Sequence, residues 1–492
     1  MENSNKRRRS SKGMAIVLTT LSISVLIPLV GLGFDVGTLY LIRSKLVSAS
    51  DAAALAGARA LSQGANASAQ TSSAQSAAQS FFSANFPSGY WNTTGASATV
   101  GVDDTSTPNY RVVSVSATVQ APLYFLRVLK QQVSTINVSS KAGRRDVLLM
   151  LVLDRSSSMT GVVAGTGQTA CALMKTDAAA FVNYFAPGRD QLGLVVFGST
   201  AFVYPSTTSF TTPDINGNTI QSLIGQISCG GNTASAEAIA AAYNELTTVN
   251  NSRRMNVIVF MTDGRPNGVT ADFSQPNNLA IGTCTEDNAG DDLIGVLAQW
   301  AGGAVASGST AGLMNYRTTS ITNTNEGHIP AGSGCAFTTS LTNVSLDISG
   351  MPATDIYGNS LTGPYSQENP AWPYNGLAPN LVGVSSPREI VMASTNAVDN
   401  EATQVRTNTT LNPFIYSIAL DGDGPVSDQP DTLLLRKMAN DPSLAGDSGI
   451  GSTFYRQQIR QPHGYFAEAP DASQLAVAFN TIATQISIRL AQ

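Results

Sequence analysis

The chain's 492 residues give room for two or three domains, and a hydrophobic share of 42% supports a sizeable core and excludes global disorder. Only 12% of residues are charged, and two His and four Cys argue against a His-rich metalloenzyme or a zinc-finger protein. The net charge of −5 hides an asymmetry. Residues 1–12 hold Lys6, Arg7, Arg8, Arg9 and Lys12 against one acid, Glu2, so the rest of the chain is more acidic than the total. An acidic body argues against nucleic acid as a partner.

Residues 1–13 read as a basic cytoplasmic tail. Met14 to Phe34, MAIVLTTLSISVLIPLVGLGF, carries no charge, and about 20 apolar residues suffice for a helix to cross a bilayer. The basic flank places the tail in the cytoplasm and everything after Asp35 outside it. A cleaved signal peptide would have a shorter apolar run. The length of this one, and the helical pattern after it, favour a retained single-pass anchor over residues 14–34. Leu39, Ile42, Leu46, Ala49, Ala53, Ala56 and Ala60 continue as a heptad-like stripe. Two readings stay open for it: packing on its own domain, or an intermolecular coil. The small Ala side chains require a close approach in either case.

From Ala96 the hydrophobic period switches to two. Val113, Val115, Ala117 and Val119 alternate with Ser and Thr, the pattern of a half-buried strand, and Val133–Val138 reads as another. Residues 35–143 therefore read as a long helix plus a small β module of pilin-like layout. Residues 144–492 read differently. The runs 147–154, 192–197, 257–261 and 414–420 are short and continuously apolar, as strands buried on both faces must be. Helical patterns lie between them, around Leu173–Tyr184, Ala236–Leu246 and Leu475–Ile486. The expected fold is α/β, a doubly wound and mostly parallel sheet. An insertion rich in Asn, Gly, Pro and Ser interrupts it over about 265–386, with a helix expected at Leu293–Trp300.

Ligands in such sheets sit beyond the carboxyl ends of the strands. Three polar motifs fall there: Asp154-Arg155-Ser156-Ser157-Ser158, Gly230-Gly231-Asn232-Thr233-Ala234-Ser235, and Met261-Thr262-Asp263-Gly264. A hard divalent cation takes about six oxygens at about 2.1 Å and keeps some waters. Ser156 and Ser158, two residues apart on a tight loop, can point at one centre, and Thr233 can add a third hydroxyl. Asp154 and Asp263 supply negative charge. With few carboxylates bound directly, the ion stays electrophilic, and one place is left for an acidic group of a partner.

Asp154, Ser156, Ser158, Thr233 and Asp263 resemble the metal-ion-dependent adhesion site of von Willebrand factor A (vWA) domains, each motif on the expected element and in the expected order. The Thr loop departs from the family's usual Gly-Gly-Thr-Asn-Thr form. Counting back from Ala238-Ile239 still puts Thr233, rather than Ser235, at the ligand position. The N-terminus carries a second resemblance. Gly13, the apolar span, Asp35-Val-Gly, and Arg43 through the Asp51-Ala-Ala-Ala-Leu-Ala run look like the TadE/TadG-like segment of the Tad (tight adherence) family, over about 60 residues. Prepilins place Glu five residues after the cleavage Gly, where this chain has Leu18; a membrane-retained accessory protein is therefore expected instead of a processed pilin. Together the two resemble TadG-like proteins. That resemblance implies a non-enzymatic protein of Flp/Tad pilus assembly or adhesion. It implies Mg²⁺ (or Mn²⁺/Ca²⁺) at the five residues, a protein partner offering an acidic group, contact with pilus or secretion machinery, and a place in the bacterial inner membrane with the bulk in the periplasm or cell envelope.

A pilus-associated surface adhesin is the related alternative. A metal-dependent hydrolase walled by the insertion is the distant one, and no HExxH, GxSxG or Walker motif accompanies the metal motif. An even cysteine count outside the cytoplasm favours disulfides, with three connectivities open. Pairing by region prefers Cys171–Cys229 and Cys284–Cys335.

Overall fold

A computed structural model describes residues 12–163, 166–272, 294–299, 310–314, 318, 320–322, 352–365, 387–421, 429–447, 449–471 and 474–490. The chain divides into two compact units, with the boundary between Arg144 and Arg145.

In the first unit the apolar span and the stripe after it form one helix, α1 (Lys12–Ala60). Its 49 residues make a rod roughly 70 Å long at the α-helical rise. Large apolar side chains along its first half are bare: Ile16 is 67% exposed, Leu26 56% and Val30 70%. Pro28 lies within this half. The second half is covered. Ile42, Leu46, Ala49 and Ala53 are buried in a cluster with α2 (Ala67–Asn85) and with Val113, Val115, Ala117 and Val119. The four last-named alternate along β2 (Tyr110–Pro122), the centre of a three-stranded sheet with β1 (Thr94–Thr107) and β3 (Val133–Arg145). The stripe thus packs on its own unit. A Cβ at Gly57 would lie 2.9 Å from Val113 Cγ1 and 3.1 Å from the Ala74 carbonyl, so the close approach of helix and sheet requires glycine there. Two buried polar side chains fix the connections. Asp35 accepts the backbone N–H groups of Tyr124, Phe125 and Leu126 at 2.9, 3.0 and 2.8 Å. Arg111 donates to the Leu61 carbonyl and to Gln70 Oε1, both at 2.8 Å.

The second unit is built on a six-stranded sheet of order β12-β11-β7-β4-β5-β6. The strands are β4 (Val147–Asp154), β5 (Gln191–Phe197), β6 (Ala201–Thr207), β7 (Met255–Thr262), β11 (Phe414–Leu420) and β12 (Phe466–Ala469). Pairing is parallel throughout except for edge strand β6, antiparallel to β5. Every residue of β4 and β7 is buried, and alternate residues feed two cores. Val147, Leu149, Leu151 and Leu153 pack with α3 (Ala170–Val182), α4 (Ile220–Gln226) and α8 (Leu475–Leu490). Leu148, Met150 and Val152 pack with α5 (Ser235–Val249), α6 (Pro387–Thr407) and α7 (Thr432–Ala439). Each such Leu or Val contributes about 1.5–3 kcal/mol. The fold is the expected α/β sheet with helices on both faces.

A separate antiparallel sheet, β10 (Thr310–Met314), β9 (Ile294–Gln299) and β8 (Gly268–Asp272), forms in the stretch after β7. Here one expectation is corrected: within the stretch expected to be helical, Ile294–Gln299 forms strand β9. A six-residue apolar run fits either periodicity. Pairing on both edges decides it, with Val296, Leu297 and Ala298 buried.

Candidate metal centre

The central strands β4 and β7 are neighbours in register, Leu153 opposite Met261, so their chains leave the sheet side by side. Asp154, the last residue of β4, joins these exits. Its Oδ1 accepts the Ser156 backbone N–H at 2.7 Å and its Oδ2 accepts the Thr262 hydroxyl at 2.5 Å. The residue is fully buried. Burial pushes its carboxyl up to about 6, against the pull of the hydrogen bonds from Thr262 and Ser156.

Immediately beyond, three side-chain oxygens face one another. Ser156 Oγ and Ser158 Oγ are 2.8 Å apart, Ser158 Oγ donates to Asp263 Oδ1 at 2.6 Å, and Ser156 Oγ lies 3.4 Å from the same oxygen. Adjacent ligands of an octahedral ion with bonds of about 2.1 Å are about 3 Å apart. The edges of this triangle bracket that spacing, so the oxygens fit one face of a Mg²⁺-type octahedron. Among the described residues no group of three His, Cys, Asp or Glu could hold a metal. A cation here would rest on hydroxyls with Asp263.

Thr233 enters from the loop before α5. That loop is stitched to the Ser loop by Ser157 N–H to the Gly231 carbonyl (2.9 Å), Gly231 N–H to Ser157 Oγ (3.0 Å) and Gly230 N–H to the Arg155 carbonyl (2.5 Å). Asn267 Oδ1 accepts the Thr233 backbone N–H at 2.6 Å, and Ser199 Oγ accepts both Asn232 N–H and Nδ2–H at 2.9 and 2.8 Å. Hydrogen bonds therefore bring together the side chains of Asp154's loop partners, Ser156, Ser158 and Asp263. Thr233 is placed on the adjoining loop, almost buried, and its hydroxyl is not hydrogen-bonded to the other four.

A disulfide braces the same loops. Cys171, in the first turn of α3, is bonded to Cys229, one residue before Gly230, with Cα atoms 6.2 Å apart. Lys175 Nζ adds a bond to the Ile227 carbonyl at 3.0 Å. Cys284 and Cys335 lie outside the described residues.

Three supporting residues, Thr262, Asn267 and Ser199, lie outside the five that the sequence motifs point to. Thr262 sits beside Asp263 in the Met261-Thr262-Asp263-Gly264 motif. Its signal was available: a Thr that ends a buried strand beside Asp154 needs an acceptor. Asn267 and Ser199 carry no local signal, because their partners are 34 and 33 residues away.

Family models match a segment in each of the two units. The family model for the von Willebrand factor type A domain matches residues 149–265, and that for the Flp pilus-assembly TadE/G-like family matches residues 13–60. The chain joins a Tad TadE/G-like segment to a vWA domain, as a TadG-like protein does. Curated proteins include no match. Among solved structures, the pilus adhesin SpaC from Lactobacillus rhamnosus GG is similar at 14% identity and a TM-score of 0.36, over 80% of this chain and 35% of that one. The vWF domain of the type V pili tip protein Mfa5 from Porphyromonas gingivalis is similar at 17% and 0.37, over 71% of this chain and 97% of that one. The adhesive tip pilin GBS104 from Group B Streptococcus agalactiae gives 13% and 0.35, over 70% and 100%. This chain thus spans about a third of the SpaC chain. The vWA match runs from β4 through β7 to Arg265, so it includes all three candidate loops. The Tad match ends with α1 at Ala60.

Proposed function

We propose that this is a non-enzymatic, membrane-anchored protein of Flp/Tad pilus assembly or adhesion that takes hold of protein partners through a divalent cation on its vWA unit. The observation that carries the reading is the triangle of Ser156, Ser158 and Asp263 oxygens at octahedral spacing. These three residues would hold Mg²⁺ (or Mn²⁺/Ca²⁺), with Thr233 from the adjoining loop. Asp154 acts behind them: it positions the Ser loop through the Ser156 N–H and ties that loop to β7 through Thr262. When bound, such an ion supplies a positive centre that a partner's Asp or Glu carboxylate can enter.

The bare apolar first half of α1 supports a single-pass anchor. With the basic tail in the cytoplasm, the vWA unit lies outside it, in the periplasm or cell envelope of a bacterium, where the Cys171–Cys229 bond persists. Partners follow from the cation: an acidic group on a pilus or secretion component.

The test is a pull-down from solubilised envelopes with the full chain as bait. A partner retained in Mg²⁺, released by EDTA and absent with Asp154→Ala bait is the expected result. Identical partners with and without chelator would overturn the reading.

A further inference from the structure

The apolar surface of the first unit does not stop where the apolar span of α1 stops. Residues 14–34 run roughly 30 Å at the helical rise, about the thickness of a bilayer's hydrocarbon core. Within them only Gly31 is buried. The turn that follows β2, residues 123–130, covers it. A Cβ at Gly31 would lie 2.5 Å from Phe125 Cγ and Cδ1, so the Phe125 ring rests on the helix backbone there. The Phe34 ring flanks it, its centroid 5.7 Å from that of Phe125 and 5.8 Å from that of Tyr124, both edge-to-face. Gly31 precedes Phe34 by roughly 5 Å of helix, so Phe125 is level with the last turn of the span and not above it.

The rest of the turn fits that level. Leu123 is buried and ties it inward, whereas Tyr124 and Phe125 are 37% and 43% exposed and Phe34 is 46% exposed. The Tyr124 hydroxyl accepts from Asn92 Nδ2 at 3.1 Å, so its polar tip has a protein partner. Asp35, the first charge after the span, would be costly beside hydrocarbon. Here it is fully buried and answered by the backbone N–H groups of Tyr124, Phe125 and Leu126. These bonds also fix the turn to the helix through main-chain atoms. Arg127 and Lys130 follow on the same turn, both exposed, and residues 122–134 contain no acid.

We propose that this turn is a second membrane contact: the Phe34, Tyr124 and Phe125 rings enter the non-cytoplasmic leaflet of the bilayer that α1 crosses, and Arg127 and Lys130 meet the phosphates of its anionic lipids. The inference rests on the reading of residues 14–34 as a membrane anchor. Lipid is the occupant because the ring patch is continuous with the bare apolar surface of the span and lies at its level. A soluble partner would have to enter the bilayer to reach Phe125. Aromatic rings set into the interface beside basic side chains are how peripheral elements hold a membrane surface, and a basic pair without acids attracts anionic head groups. Such a contact sets the tilt and rotation of α1 in the bilayer.

Photo-cross-linking of the full chain in vesicles of phosphatidylcholine with about a quarter phosphatidylglycerol tests this. p-Benzoylphenylalanine replaces Phe125 or Tyr124 in turn, with Leu26 in the span and Thr107 as controls; Thr107 pairs with Tyr110, at the other end of β2. Leu26 and the turn positions should capture lipid, and Thr107 none. Either turn position decides where the other variant does not fold. Phosphatidylglycerol should be enriched about twofold among the captured lipids over its share of the vesicle, and Arg127→Gln with Lys130→Gln should remove the excess. Lipid at Leu26 with none at Phe125 or Tyr124 overturns the inference and leaves the anchor standing. No lipid at Leu26 overturns the anchor and the inference with it. Capture of a second copy of the chain in place of lipid at the turn, no phosphatidylglycerol excess, or an excess that the double variant keeps also overturns it.

Discussion

Two clusters of buried acids lie in the second unit, and their surroundings differ. At the strand ends, Asp154 and Asp263 are met by hydroxyls: Thr262, Ser156 and Ser158. The other cluster joins Glu237 on α5, Glu401 on α6 and Asp355 in the segment 352–365, all three almost fully buried. It is filled by an amide and a phenol. Asn359 Nδ2 donates to both Asp355 Oδ2 and Glu401 Oε2 at 2.8 Å, and the Tyr357 hydroxyl donates to Glu237. Burial pushes the Glu401 carboxyl up to about 7; the Asn359 bond lowers it, and the charges of Asp355 and Glu237 raise it further. Protons and amides balance the second cluster. The first instead presents oxygens to one another at the spacing of a cation's ligands. Buried acids alone do not mark a metal centre; the donors that answer them do.

The largest effect should come from loosening only the strand-end cluster. The Cys171–Cys229 bond closes a loop of 58 residues, so Cys171→Ser with Cys229→Ser should cost about 4 kcal/mol in the loop-entropy model. Calorimetric unfolding of the solubilised chain measures this, and a change under 1 kcal/mol would mean that the loops are braced by other contacts.

Glu401 sharpens the contrast through pH. Its folded value of about 7 stands above the ordinary 4.5, so the folded unit binds this proton more tightly than the unfolded chain. The resulting stability is fully present below 4.5 and lost as pH rises through 7, about 3 kcal/mol in all. Glu401→Gln keeps an acceptor for Asn359 and removes the titration. The variant should unfold at a higher temperature than the parent at pH 8, with a flatter profile between pH 4.5 and 7. Parallel profiles for the two proteins would remove Glu401 as a protonated group.

The smallest effect is the most local. Thr262→Val deletes the hydroxyl that answers Asp154 with little change of shape. A hydrogen bond to a charged group contributes about 1.5–3 kcal/mol, so a loss of about 2 kcal/mol in thermal unfolding is expected. No loss would show that the Asp154–Thr262 bond does not hold the strand ends together.

Much of the α/β core was legible because strands buried on both faces must be apolar throughout: β4, β5, β7 and β11 each read as a continuous run. Edge strands β6 and β12 carry no such run. Strand β9 was misread because six residues are too few for a period to declare itself. The candidate site was legible as Ser, Thr and Asp at three strand ends, where a parallel sheet gathers its loops. What holds that site was less so. Asn267 reaches Thr233 and Ser199 reaches Asn232 only through the fold, as Asn359 reaches Glu401. In α1 the change from Leu and Ile to Ala announced a close approach, but only the packing of Ala53 and Gly57 in the cluster with β2 tells which partner approaches.

The central claim is that Ser156, Ser158 and Asp263 hold a divalent cation. Electron paramagnetic resonance of Mn²⁺ titrated into the detergent-solubilised full chain tests it most directly, because the free-ion signal falls as ions bind. The account predicts one saturable site per chain, displaced by excess Mg²⁺, and lost in Ser156→Ala with Ser158→Ala while the unfolding temperature is kept. Undiminished Mn²⁺ binding in that double variant, or no saturable binding in the parent, would contradict it.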